Sequence, residues 1–264
     1  PISTSLISVN TIRFLNLESL MEEMIKGDEK FRYSVAWIDS LHKKTRGVLT
    51  CGEHARSEDL DNINSNHLFY DSKNLGSAPN LFPNGLLNKF TAKAFNELWF
   101  RKSSMMGNNI QTISQFFHPL DGINNWNRIY GSQGFYQYQF VVPNDKSYFI
   151  SKTLDKLKKC SAYSFLTVLK RFGKISNSFL SFPQPGWTLA VDLPGSNLKL
   201  LGVLDELDNE LASIGGKIYL AKDLRQKPEV FKKTYRSYKS WKSIKKEMDP
   251  DNLFKSDLSI RLKM

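Results

Sequence analysis

Polar and apolar positions alternate in Tyr136-Gln137-Tyr138-Gln139-Phe140, and the run continues through Val141 and Val142 to Pro143. That period of two predicts a β-strand. A strand places Tyr136, Tyr138, Phe140 and Val142 on one face and Gln137 and Gln139 on the other. Trp187 to Pro194 alternates likewise, with Trp187, Leu189, Val191 and Leu193 opposite Thr188, Ala190 and Asp192. The period then changes. Leu198, Leu201, Leu204, Leu207 and Leu211 recur at helical spacing, so a helix is expected from Asn197 to Ile214, with Gly215-Gly216 as its left-handed stop. Lys217 to Ala221 is expected as a strand. A further helix is expected from about Pro228 to Met248, its apolar stripe being Phe231, Tyr235, Tyr238, Trp241, Ile244 and Met248. Its basic face holds Lys232, Lys233, Arg236, Lys239, Lys242, Lys245 and Lys246.

Clusters of Asn, Ser, Gly and Pro mark loops at Asp61–Asn66, Asn74–Asn84, Met106–Asn109, Asp121–Asn127 and Phe182–Gly186. Short β-type runs between helical stretches indicate an α+β fold. No G-x-G-x-x-G or Walker sequence accompanies the C-terminal strand-helix-strand-helix pattern, which argues against a self-contained nucleotide-binding fold.

Composition narrows the classes. The 264 residues are 41% hydrophobic and 24% charged, as in an ordinary globular protein of one large domain or two small ones. No apolar run is long enough for a transmembrane helix. The first residue is Pro1, so a processed product or a fragment is expected, and no signal-peptide pattern is present. Cys51 and Cys160 read as reduced thiols. They and the scattered His42, His54, His67 and His118 lack metal-ligand spacing, so no structural metal is expected. The net charge of +11 favours an anionic partner such as a phosphorylated substrate, nucleic acid or acidic lipid, or else a solvated basic surface.

The candidate chemistry is a set of polar residues in aromatic settings. His118, before Pro119, reads by pattern as a core histidine. Gln137, Gln139 and Asp192 fit either a solvated sheet face or a pocket that reads sugar hydroxyls. Lys170, after Phe165-Leu166-Thr167-Val168-Leu169, reads as a helix-end lysine. Lys222 is either paired to Asp223, exposed at a strand tip, or set beside a cofactor as an electrostatic stabiliser or base.

A series of stretches in one order adds to this. They are Tyr33–Asp39, Leu81–Phe90, Glu97–Ser103, Phe117-His118-Pro119-Leu120-Asp121, Trp126-Asn127-Arg128, Gln137–Phe140, Ser164-Phe165-Leu166, Pro185-Gly186-Trp187, Ala221-Lys222-Asp223, and Asp249-Pro250 with Phe254 and Ser256-Asp257. Together they resemble the flavoenzymes that oxidise decaprenylphosphoryl-β-D-ribose at its 2′ position, within the vanillyl-alcohol-oxidase superfamily, along nearly the whole chain.

The resemblance implies a substrate domain over residues 1–216, an antiparallel sheet flanked by helices. It implies that residues 217–264 return to complete an FAD-binding domain whose main part lies outside this chain. FAD is the implied cofactor, with no metal, and the isolated chain is expected to hold it poorly. Position by position, Lys222 matches the lysine beside flavin and substrate, and Tyr219 a flavin-contacting tyrosine. Gln137, Gln139, Lys170, Phe172 and Asp192 match pocket positions, with Trp37, Phe117 and His118 near that pocket. Two departures stand out: Ala190 replaces a cysteine of mycobacterial members, and Phe117 replaces a tyrosine. The implied partners are a polyprenyl-phosphate-linked pentose, a reductase that completes an epimerisation, and an anionic membrane surface under the basic helix face. That places the protein in the cytoplasm or at the inner membrane. A non-catalytic phosphate- or nucleic-acid-binding module is the alternative, disfavoured because the aromatics fall in core-like stripes.

Overall fold

A computed structural model describes residues 2–56, 60, 68–70, 75–79, 88–195 and 197–264. The loop expected at Asp61–Asn66, much of Asn74–Asn84, His67, and the Leu81–Leu87 part of one family-like stretch lie outside the described residues. The chain divides into two compact units. One comprises residues 1–135 and 163–168, the other residues 136–162 and 169–264. Eight helices and eight strands among the described residues make the α+β fold that the pattern predicts.

In the first unit the strands are β1 (Leu6–Phe14), β2 (Tyr33–Asp39), β3 (Arg46–His54) and β4 (Asn108–Thr112), in the order β4-β1-β3-β2. Their pairings are antiparallel, with Ser8 opposite both Glu53 and Ile110, and Val35 opposite Thr50. Helix α1 (Leu17–Gly27) starts where the Asn16 side chain accepts from the Ser19 N–H at 2.8 Å, and it buries Leu17, Leu20 and Met24. Helix α2 (Lys89–Lys102) opens on a reciprocal cap between Asn88 and Thr91. The short α3 (Ile113–Phe117) ends at His118. Cys51 is buried in β3, and both cysteines are free.

The second unit has the strand order β6-β7-β5-β8: β5 (Phe135–Pro143), β6 (Thr167–Phe172), β7 (Gly186–Pro194) and β8 (Lys217–Ile218). The two strands expected from alternation are β5 and β7. Trp187, Leu189, Val191 and Leu193 are all 2% exposed or less. Each such side chain contributes about 1.5–3 kcal/mol by leaving water. Helix α4 (Tyr148–Lys159) buries Phe149, Ile150, Leu154 and Leu157. It is bonded to α5 (Leu198–Ser213) through Lys152–Glu210 and through Lys156–Glu206 at 3.1 Å.

Four expectations change. Helix α5 buries Leu204, Leu207 and Leu211 as expected, but at its start Leu200 is buried and Leu201 only half-buried. The strand expected over Lys217–Ala221 is only β8, since pairing with β5 stops at Phe140–Ile218 and the chain closes into a 3-10 turn, Leu220–Lys222. Lys170 lies within strand β6, not at a helix end. The helix expected from Pro228 to Met248 is two, α6 (Pro228–Thr234) and α7 (Tyr238–Met248). The break falls at Tyr235, whose hydroxyl donates at 2.7 Å to the carbonyl of Ile218, the last residue of β8. Phe231, Tyr235 and Tyr238 still form one buried cluster with Leu262 of α8 (Asp257–Leu262), but Ile244 and Met248 at the end of the stripe are exposed. None of the described helices is long and apolar enough to cross a membrane.

Candidate active site

Strand β5 sets its alternate residues to two tasks. Tyr138, Phe140 and Val142 go into the core, while Gln137 and Gln139 stay half-buried on the other face. There they meet the polar positions of β7. Gln137 Nε2 donates to Asp192 Oδ1 at 3.0 Å, and Gln139 Nε2 to Thr188 Oγ1 at 3.1 Å. Asp192 and Thr188 are 3% and 1% exposed, so the amides meet a burial cost that unpaired oxygens would carry. Each glutamine is thereby oriented, and its amide oxygen has no protein partner among the described residues.

The neighbouring edge brings in the C-terminal candidates. The Tyr219 N–H donates to the Gln139 carbonyl at 2.9 Å, which places the Leu220–Lys222 turn directly after the end of β8. The Tyr219 ring lies 4.7 Å from that of Phe182, which meets Phe172 edge-on at 5.7 Å. Lys222 is half-buried and forms no ion pair among the described residues; Asp223 is taken instead by Arg261 at 2.9 Å. Lys170 on β6 is exposed along much of its side chain, yet packing around its ammonium, and then the charge of Lys222, lower its pKa. The Lys222 charge is thus felt at Lys170, and neither lysine forms an ion pair among the described residues. An anionic group placed between such cations is attracted to both.

Behind this face is a network that periodicity does not reveal. Tyr138 Oη donates to Asp208 Oδ1 at 3.1 Å, and Arg225 bridges Asp208 at 2.8 Å and Asp205 at 3.0 Å. Burial pushes Asp208's pKa up despite Arg225's opposing pull, and burial drives Tyr138's well above the phenol range. The one legible signal is the acidic pair Asp205 and Asp208 breaking the apolar stripe of α5.

The other three candidates belong to the first unit. Trp37 Nε1 donates to the Phe165 carbonyl at 2.9 Å. Phe117 packs edge-on against Tyr33 at 4.8 Å. His118 is not a core histidine: it caps α3 at the surface, 3.7 Å from Asp121, because the core position of that helix is taken by Phe116. The second unit thus gathers Gln137, Gln139, Lys170, Phe172, Asp192, Tyr219 and Lys222, and the first holds Trp37, Phe117 and His118.

The chain is similar to sugar and lactone oxidases. A family model described as D-arabinono-1,4-lactone oxidase matches residues 195–262, the segment that includes Tyr219, Lys222 and Arg261. Over 241 residues the chain is 39% identical to decaprenylphosphoryl-beta-D-ribose oxidase of Mycolicibacterium smegmatis, which covers 90% of this chain and 52% of that protein. It is also 27% identical over 274 residues to an uncharacterized protein of Streptomyces coelicolor, covering 99% of this chain and 74% of that protein. The resemblance expected from the ordered stretches is borne out, and the chain spans about half the length of the mycobacterial relative.

Proposed function

We propose that this chain supplies the substrate side of an FAD-dependent oxidase acting on a secondary hydroxyl of a polyprenyl-phosphate-linked pentose of the decaprenylphosphoryl-ribose kind. The observation that supports the reading is Lys222, without an ion pair among the described residues, whose charge is felt at Lys170 and whose turn follows the Tyr219 bond to the Gln139 backbone. In this reading residues 1–216 form the substrate domain and residues 217–264 complete a flavin domain. A reductase that completes the epimerisation and an anionic membrane surface beneath the lysines of α7 are its further partners.

The residues present fit a flavin ring. Tyr219, tilted against Phe182, offers an aromatic face, and Lys222 offers a cation to a ring system that becomes electron-rich on reduction. FAD, when bound, supplies the hydride acceptor that protein side chains cannot provide. The side chains do the rest. Gln137 and Gln139 accept from sugar hydroxyls and fix the reacting carbon, with Asp192 and Thr188 holding the amides in place. The proton of the reacting hydroxyl passes to water, and the Lys222 ammonium stabilises the negative charge that grows on that oxygen. Lys170 neutralises the substrate's phosphate.

The test is anaerobic reduction of the flavin by substrate in the full-length protein. Lys222→Ala is expected to slow it by about a hundredfold or more. An unchanged rate overturns the role given to this lysine.

A further inference from the structure

The turn that carries Lys222 is held from outside. A 3-10 turn of three residues has poor hydrogen-bond geometry and persists only when its flanks are fixed. Upstream, the flank is fixed by the Tyr219 N–H on Gln139 and by the Tyr235 hydroxyl on Ile218. Downstream, the contacts converge on Asp223. Its Oδ1 accepts from the backbone N–H groups of Arg225 at 3.0 Å and Gln226 at 2.8 Å. Arg261 closes the loop from α8. Its Nη2 donates to Asp223 Oδ2 at 2.9 Å and to the Asp223 carbonyl at 3.0 Å, and its Nη1 donates to the Gln226 carbonyl at 2.5 Å. Leu262, the next residue, is fully buried against Phe231, Tyr235 and Tyr238, so the guanidinium is delivered from an anchored helix.

This arrangement has an electrostatic consequence. Asp223 is the carboxylate adjacent to Lys222 in the chain, and its side chain is only 3% exposed. Both of its oxygens are occupied, one by backbone and one by Arg261. The Lys222 ammonium is therefore left uncompensated, although an acid stands one residue away. Deprived of Arg261, that carboxylate would be a buried charge without a cation, and Lys222, the residue before it, forms no ion pair among the described residues. A buried anion that loses its partner takes another if one is in reach.

We propose that Arg261 is a positioning residue for Lys222: by gripping the carboxylate and carbonyl of Asp223 it fixes the turn and keeps that carboxylate from neutralising the lysine. The catalytic consequence rests on the function proposed above; the electrostatic claim does not.

The experiment uses the full-length flavoprotein with Arg261→Met, Asp223→Asn and the two combined. The first readout is the rate at which a limiting acylating reagent labels Lys222 at one fixed alkaline pH, resolved by peptide mass spectrometry. Only the free amine reacts, so a lysine clasped by a carboxylate labels more slowly. Arg261→Met is expected to slow labelling about tenfold, as an opposite charge within hydrogen-bonding range does. Asp223→Asn keeps Oδ1 as the acceptor for the two N–H groups but removes the charge, so in the Arg261→Met background it should restore the rate. Flavin reduction by substrate should fall and recover in the same order. Unchanged labelling in Arg261→Met, or a loss that Asp223→Asn does not recover, overturns the proposal and leaves Arg261 a structural residue. Should Arg261→Met not fold, Arg261→Lys, which keeps one cation but not the fork, is expected to label at an intermediate rate, and a wild-type rate overturns the proposal equally. If labelling behaves as expected while Lys222→Ala leaves flavin reduction intact, the positioning claim stands and the catalytic reading of Lys222 fails.

Discussion

Gln137 donates across 3.0 Å to Asp192, joining a half-buried amide on β5 to a carboxylate on β7 that is 3% exposed. The bond leaves the amide oxygen of Gln137 and its second N–H available to another molecule. Removing the acceptor should therefore affect both stability and the substrate side of the pocket. Asp192→Ala is expected to cost about 1–3 kcal/mol in urea unfolding, because a buried acceptor is removed and a half-buried amide loses its partner. It should also raise KM more than it lowers kcat, since Gln137 is then free to turn. Asp192→Asn, which retains an oxygen at the acceptor position, should lie closer to wild type on both measures. Equal effects from the two variants would show that the oxygen contact does not orient Gln137.

Burial around the Lys170 ammonium, and then the charge of Lys222, lower the pKa of Lys170. Because the folded-state pKa of Lys170 is lowered, the folded chain holds this proton less tightly than the unfolded one does. The resulting destabilisation is complete below the folded pKa and is relieved as pH rises from there toward the ordinary value of 10.5. Lys170→Met should accordingly raise the unfolding midpoint at neutral pH, and the gain should fade by pH 10.5. A gain that does not change with pH would assign the effect to packing alone.

Much of the architecture around the pocket is legible in the chain because alternation is enforced by burial. In β5 and β7 every second residue must be apolar, so the period reveals both the strand and which side chains face the polar neighbour. The C-terminal candidates are legible only through likeness to known oxidases. Nothing in Tyr219-Leu220-Ala221-Lys222-Asp223 announces a 3-10 turn, because the turn is imposed by Asp223 accepting two backbone bonds and by Arg261, 38 positions on. The break between α6 and α7 is hidden for the same reason. Phe231, Tyr235 and Tyr238 keep helical spacing across it, and the hydroxyl contact that accompanies it is with Ile218. In α5 only the start of the stripe is misread: Leu200 and Leu201 are equally apolar neighbours, and packing alone buries Leu200 the more deeply. His118 misleads because its neighbours are aromatic, yet Phe116 alone enters the core there.

In the first unit, Arg46 binds Asp39 at 2.9 Å and also reaches Glu97, which in turn binds Arg101 at 2.6 Å. Hydrogen bonds from Arg46, then Arg101, lower the pKa of Glu97 from 4.5 to about 2. A carboxylate with a depressed folded-state pKa contributes stability that is fully present above its unfolded pKa and disappears as pH falls through the folded one. Glu97→Gln should therefore lower the unfolding midpoint at neutral pH, with the difference from wild type shrinking from pH 4.5 downward and gone near about pH 2. The carboxylate is 40% exposed, so the effect should also weaken in high salt. A difference that persists unchanged in acid would show that Gln fails at this position for reasons of shape, not charge.

Gly186, in the Pro185-Gly186-Trp187 stretch, begins β7 with φ +154, and a Cβ there would stand 1.9 Å from the Val142 carbonyl oxygen and 2.9 Å from its carbon. Neither side of that contact can yield cheaply. Val142 is fully buried in β5, the strand that also carries Gln137 and Gln139, and Trp187, the next residue, is 2% exposed. An added methyl must push two core strands apart and also adopt a backbone conformation that side chains disfavour. Overpacking and backbone strain are each worth about 1–3 kcal/mol, so Gly186→Ala should be among the most damaging single substitutions in this chain. Gly202, in the middle of α5, has nothing within 4 Å of its ideal Cβ and an ordinary φ. Gly202→Ala should instead stabilise the protein by about 0.5–1 kcal/mol, because alanine loses less backbone entropy in a helix. Urea midpoints of the two variants measured side by side provide the check, and a Gly186→Ala protein as stable as wild type would mean that β5 and β7 do not approach as closely as described.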